Sequence, residues 1–152
     1  MGSRIARLWH AVPVPEPHVV GVLVASVFDA RRPWRLLGRR HARVARMAGS
    51  GLLVSGILLI GWAVKSVGPH LDPDERRLVT TGAYAVSRNP MYVGWTMLYV
   101  GLTVRSNNGW GVLFLPAILV ATHRIVRREE RSLAAKFRDE YAAYRRRVRR
   151  YL

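Results

Sequence analysis

The sequence predicts an all-α integral membrane protein of about four transmembrane helices, closed by an amphipathic helix at its C-terminal end. Three observations carry this. Half of the residues are hydrophobic, yet 25 are Lys or Arg against 9 Asp or Glu, a combination that ordinary soluble domains rarely show. The two populations are segregated: charge-free runs cover 47–64, 89–104 and 106–122, while arginines crowd 31–46 and 124–150. Near the end, Leu133, Phe137, Tyr141, Tyr144 and Val148 recur at steps of four, four, three and four, one face of a helix. With 152 residues the chain forms one domain, 1–152.

Each element follows from the length a span requires, about 20 apolar residues at about 1.5 Å each, with about 17 acceptable. The start, with Arg4, Arg7, two prolines and Glu16, lacks the apolar core of a cleavable signal. Pro17 to Phe28 is short for a span, and Pro13, Pro15 and Pro17 stop a helix from extending backwards. Ala48 to Val64 is the strongest span, with Gly51, Ser55 and Gly61 as small residues for close helix approach. The stretch 65–88, with Gly68-Pro69, Asp72-Pro73 and Thr80-Thr81-Gly82, reads as a loop. Asn89 is an N-cap candidate and Pro90 a first helical residue for the span to Val104. Ser106-Asn107-Asn108 turns the chain into Gly109 to Thr122, which Pro116 bends. The final helix emerges from this span and lies along the membrane surface, packed over the loop 65–91, its arginine stems reaching toward headgroups.

Composition also excludes. No cysteine is present, so disulfides, thiolate catalysis and cysteine-ligated metals are out, and the five histidines show no metal-ligand spacing. The net charge of +16 suits anionic headgroups better than nucleic acid, because a nucleic-acid domain would not interleave its basic runs with membrane-length apolar ones. Seven arginines in 31–46 and eleven Lys plus Arg from Arg124 onward both belong on the cytoplasmic side by the positive-inside rule. One crossing plus a hairpin separates them, however, which places them on opposite sides.

The chemistry sits in two blocks. Leu78 to Gly94 reads LVTTGAYAVSRNPMYVG, and after the hairpin comes Arg128-Glu129-Glu130-Arg131-Ser132-Leu133, then Phe137, Tyr141 and Tyr144. In order and spacing the two resemble the signatures of the isoprenylcysteine carboxyl methyltransferase and phospholipid methyltransferase superfamily, over about Val79 to Val148. The resemblance implies a small bacterial enzyme of the cytoplasmic membrane, transferring a methyl group from S-adenosylmethionine to a lipophilic acceptor, with the cofactor site in 65–150 facing the cytoplasm and S-adenosylhomocysteine as product. Position by position it implies cofactor binding by Leu78, Val79, Tyr84, Asn89, Pro90, Met91, Tyr92 and Glu129.

Two positions depart from the pattern. Isoprenylcysteine enzymes have histidine where Asn89 stands. Their carboxylate-binding arginine position is Ile125 here, which passes substrate binding to Arg124, Arg127 or Arg128.

Residue chemistry agrees with these roles. Glu129 and Glu130 can accept from an ammonium or from ribose hydroxyls, and Arg88 offers a rigid fork of donors for a carboxylate or for the glutamates themselves. Arg88 and Glu130 are accordingly the expected catalytic pair, with no metal. Glu130 aligns with Val126, Leu133 and Phe137 on the apolar face, where a lone carboxylate is costly and an arginine or ligand partner is expected. Tyr141 and Tyr144 read as interfacial anchors. Partners are membrane lipids and a lipophilic small molecule. The rivals are a non-catalytic membrane scaffold with the same fold and, behind it, a small transporter, which would want charges inside the spans.

Overall fold

The computed structural model describes residues 15–67 and 77–152. The reading of the first fourteen residues, and of Gly68-Pro69 and Asp72-Pro73, falls outside these. Among the described residues four helices form: α1 Glu16–Arg31, α2 Arg39–Val67, α3 Pro90–Ser106 and α4 Gly109–Arg147, with a short 3-10 turn at Gly82–Ala85 before α3. Pro17 in the first turn of α1 and Pro90 at the start of α3 sit where a missing N–H costs nothing. α2 begins earlier than its apolar run, so Arg39, Arg40, Arg43 and Arg46 are helical and exposed.

The chain runs up and down through the bundle. His18 near the start of α1 meets Thr96 in α3, Nε2 to Oγ1 at 3.1 Å, and Phe28 near its end packs on Trp110 and Phe114 of α4. At that end the 32–38 loop is sewn to the α3–α4 turn. Trp110 donates to the Arg32 carbonyl at 2.8 Å, Gly109 N–H to the Trp34 carbonyl at 2.8 Å, and the Asn107 side chain bonds Leu36 and Leu37. Asn107 has φ 51, a left-handed turn that asparagine tolerates, and Asn108 caps α4 by accepting from Gly111 N–H. The arginines of 31–46 therefore lie at the opposite end from 124–150, as the crossing count requires.

α2 and α3 meet along a seam of small residues. A Cβ on Gly49 would lie 2.6 Å from the backbone of both Gly101 and Arg105, one on Gly56 2.9 Å from the Gly94 carbonyl, and one on Gly101 2.9 Å from the Gly49 carbonyl. Main chain thus touches main chain, the closest approach that helices make. Ala63 continues the seven-residue spacing of Gly49 and Gly56 and is fully buried. This corrects the expected contact set. Gly51 and Gly61 have nothing within 4 Å and Ser55 is exposed; all three lie outside the 49-56-63 row, and small residues on several sides of one helix hide which row is the seam.

Among the described residues two helices, α2 and α4, are long and apolar enough to cross a membrane, and only 17% and 28% of their apolar windows are covered by the rest of the protein. A soluble core helix would be mostly covered. α1 and α3, of 16 and 17 residues, are shorter.

The C-terminal segment packs over the loop before α3, as expected, but its course differs from a single surface helix. α4 is continuous with the last apolar run, but it breaks at Arg138 (φ 39, ψ −109) and ends at Arg147, with Val148 extended. Pro116 lies within helical backbone. Beyond the break the chain turns back on the bundle, so Tyr141 and Tyr144, expected as interfacial anchors, are buried at 1% and 3% exposure. The Tyr144 hydroxyl donates to the Tyr84 carbonyl at 2.7 Å, a contact with the 3-10 turn that ties this segment to the bundle.

Candidate functional site

The loop before α3 is fastened first to the end of α2. Gly82 has φ 61, and a Cβ there would collide with the Ser66 hydroxyl, which accepts from Ala83 N–H at 3.1 Å. Ala83 and Met91 then pack with Ala63 into a buried cluster, joined by Tyr84 and Trp95 at its edge. Leu78 and Val79 lead into this turn half-buried.

Next come Ser87, Arg88 and Asn89: Arg88 and Asn89 turn toward Glu130, while the Ser87 hydroxyl donates to the Arg150 carbonyl at 3.3 Å. Arg88 donates to Glu130 Oε1 through Nε at 3.1 Å and Nη2 at 2.9 Å, and through Nη1 to the carbonyls of Arg145 and Val148 at 3.3 and 3.0 Å. One planar fork thus neutralises a buried carboxylate and satisfies carbonyls that the end of α4 leaves open. Arg150 closes the other side, with Nε and Nη2 2.9 and 2.8 Å from Glu130 Oε2. Asn89 stands at the N-cap of α3, but its side chain makes no cap bond; Nδ2 points instead to Glu130 Oε1 and the Arg150 carbonyl, at 3.3 and 3.2 Å. Burial alone would raise the Glu130 carboxyl, but the hydrogen bonds and charges of Arg150 and Arg88 prevail and hold it below the usual carboxylate range.

The neighbouring carboxylate is different. Glu129 is exposed and accepts from the Tyr92 hydroxyl at 2.6 Å, and among the described residues it makes no ion pair. Its charge also reaches Tyr84, whose hydroxyl is pushed up to about 12, first by burial and then by Glu129.

Behind Tyr92, between α3 and α4, lies a cavity of about 660 Å³. Val93, Met97, Leu119 and Val120 make its apolar wall, while Thr96, Thr122, His123, Arg124, Arg127 and Tyr151 add polar groups. That volume and lining are typical of small-molecule sites. The Thr122 hydroxyl is buried without a hydrogen-bond partner among the described residues, a donor that a ligand could satisfy.

The predicted residues therefore sort into groups. Tyr84, Asn89, Tyr92, Glu129, Arg88 and Glu130 converge on one end of the bundle. Pro90 and Met91 are buried, Met91 in the cluster against α2. Arg124 and Arg127 line the cavity, whereas Arg128 is exposed and outside its wall. Sequence reasoning missed Arg150 and Tyr151, which look like two more residues in a basic tail; it read His123 as a structural or solvated histidine near the site, and its Nδ1 lies 3.1 Å from the Tyr151 hydroxyl at the cavity.

The family model described as phospholipid methyltransferase matches residues 44–140. No curated protein and no solved structure gives a significant match. The family match takes in more than half of the chain, including α3, the first motif block and the second as far as Phe137 with its Glu129–Glu130 pair, and it stops short of Tyr141, Tyr144 and the tail that carries Arg150 and Tyr151. On that match, and on an all-helical fold that gathers both blocks at one end, the chain belongs to the phospholipid methyltransferase family.

Proposed function

We propose that this protein transfers a methyl group from S-adenosylmethionine to a lipophilic acceptor drawn from the bilayer. The observation that carries the proposal is the apolar cavity between α3 and α4, which abuts the Tyr92–Glu129 pair and is ringed by Arg124 and Arg127. Family membership implies a membrane methyltransferase; the donor and the kind of acceptor are our reading.

The residues present suit such a donor. Glu129, exposed and held by one hydrogen bond, can accept from an ammonium or from ribose hydroxyls, and the half-buried Tyr84 offers an aromatic face close by. S-adenosylmethionine supplies an electrophilic methyl group on a sulfonium, and everything else is positioning and exclusion of water. Leu78 and Val79 border the same turn. Arg88 and Glu130, expected at the reacting centre, have their polar atoms taken up by each other, by Arg150 and by main-chain carbonyls. In this reading they are positioning residues: they fix Asn89 and Glu129 relative to one another across two helices.

The cavity wall takes the apolar body of the acceptor. Arg124 and Arg127 can hold an anionic group at its rim, and both a carboxylate and an amine acceptor are compatible with these residues. We further propose that all four helices cross the bilayer, α1 and α3 spanning about 24 and 26 Å at about 1.5 Å per residue, with the site end facing the cytosol, where the donor is made.

Incubating the purified protein with extracted membrane lipids, quinone-like compounds and radiolabelled methyl donor tests the reading. A labelled, organic-soluble product is expected. No product from any lipid class, together with no binding of S-adenosylhomocysteine, would favour the rival, a membrane scaffold that keeps the fold without the chemistry.

A further inference from the structure

Arg149, Arg150 and Tyr151 lie past the helix and past the family match, yet each is tied to the bundle. Arg88 N–H donates to the Arg149 carbonyl at 2.9 Å, the Ser87 hydroxyl and Asn89 Nδ2 donate to the Arg150 carbonyl at 3.3 and 3.2 Å, and the Arg150 side chain is ion-paired to Glu130. The Ser87-Arg88-Asn89 loop thus grips the tail by its main chain. These main-chain contacts set the register of the tail, and the Arg150–Glu130 ion pair holds it down.

What this grip delivers is Tyr151. Its ring lines the cavity, its hydroxyl meets His123 Nδ1, and the two rings lie 6.1 Å apart, centre to centre. Thr122, buried at 4% exposure, lies on the same wall of α4. A rigid aromatic carried on a strap of chain is a removable wall, unlike the helices that make the rest of the cavity.

We infer that the C-terminal tail is a built wall of the cavity, latched by Arg150 to Glu130, and that Tyr151 is a specificity-determining residue that limits how bulky an acceptor the cavity admits. The word acceptor rests on the methyl-transfer reading; the wall itself does not.

Because the chain contains no cysteine, a single introduced thiol reports on the cavity without background. The full-length protein with Thr122→Cys, in detergent and without any methyl donor, is treated with methyl methanethiosulfonate or the bulkier benzyl reagent. With the native tail the small reagent should react at least about tenfold faster than the large one, since Tyr151 narrows the space beside Thr122. Tyr151→Ala, and separately Arg150→Met, should raise the benzyl rate by about tenfold and remove that preference. Tyr151→Phe, which keeps the ring, should preserve it.

Thr103→Cys, buried in α3 at the opposite end of the bundle, is the companion site and should stay unreactive throughout. Equal rates for both reagents with the native tail, or unchanged rates after Tyr151→Ala and Arg150→Met, would overturn the proposal. So would exposure of the Thr103 site in the tail variants, because the tail would then hold the whole bundle and not one wall. Since no methyl donor takes part, a failed methyl-transfer assay leaves this result standing, and the converse holds too.

Discussion

The two sides of α3 show opposite solutions to packing one helix. Toward α2 it is welded: Gly94 and Gly101 bring its backbone against Gly56 and Gly49, with no space for a methyl group. Toward α4 it is in contact near the turn, where Tyr99 and Thr103 meet Gly111, and then stands off, so that Val93, Thr96 and Met97 face about 660 Å³ of cavity. The lesson is that one rigid face makes the other usable. Helices in lipid gain little from burying apolar groups against each other, so close backbone approach has to supply the cohesion; once α2 and α3 form one slab, α3 can present a fixed, hollow wall to a ligand without the bundle collapsing into it.

If that contrast is right, its largest consequence is on the welded face. Gly49→Leu or Gly101→Leu must drive the two backbones apart and should cost about 3 kcal/mol or more, read as a large fall in Tm in detergent or as loss of the monodisperse species. A normal melting curve for both would refute the seam.

The next effect concerns the knot that closes the site end. Glu130→Ala strands two arginines that now share one carboxylate, a loss of about 3–5 kcal/mol by analogy with other broken buried pairs. The same pair sets an acid limit. The folded-state Glu130 lies below its ordinary value of 4.5, so its stabilisation is complete above that value and is lost as pH falls through the depressed one. Acid melting of the wild type should therefore steepen below about pH 4.5, and Glu130→Gln should flatten that slope while lowering Tm at neutral pH. Identical slopes would detach Glu130 from acid stability.

On the hollow face a large residue should be tolerated where the welded face rejects a methyl. Met97→Trp fills apolar space and should change stability by no more than about 1 kcal/mol, while methyl transfer to bulky acceptors falls sharply. A Tm loss as large as that of Gly49→Leu would mean the cavity is not open space. The smallest effect belongs to Gly51→Ala on the exposed side of α2, which meets nothing and should be neutral or stabilising by about 0.5–1 kcal/mol.

Much of this molecule was legible in its residues, for physical reasons that differ by element. Charge-free runs and the Asn89-Pro90 and Ser106-Asn107-Asn108 punctuation set the helices, because proline and tight-turn chemistry act locally. The need of Glu130 for an arginine followed from the apolar phase of its helix, and Arg88 and Arg150 supply it. What was hidden depended on long-range geometry. The seam row 49-56-63 looked no different from 51, 55 and 61. The break at Arg138 has no glycine or proline to announce it. Arg150 and Tyr151 acquire their roles only when that break returns the tail to α3, and Tyr141 and Tyr144 are buried for the same reason.

Whether the loop before α3 and the acidic pair in α4 form one cofactor site is tested most directly by calorimetry with S-adenosylhomocysteine in detergent. Saturable binding is expected in the wild type, weakened about tenfold or more in Glu129→Ala, whose lost acceptor is a charged hydrogen-bond partner, with Tm unchanged. No binding to the folded wild type, or equal affinity in Glu129→Ala, would contradict a single site.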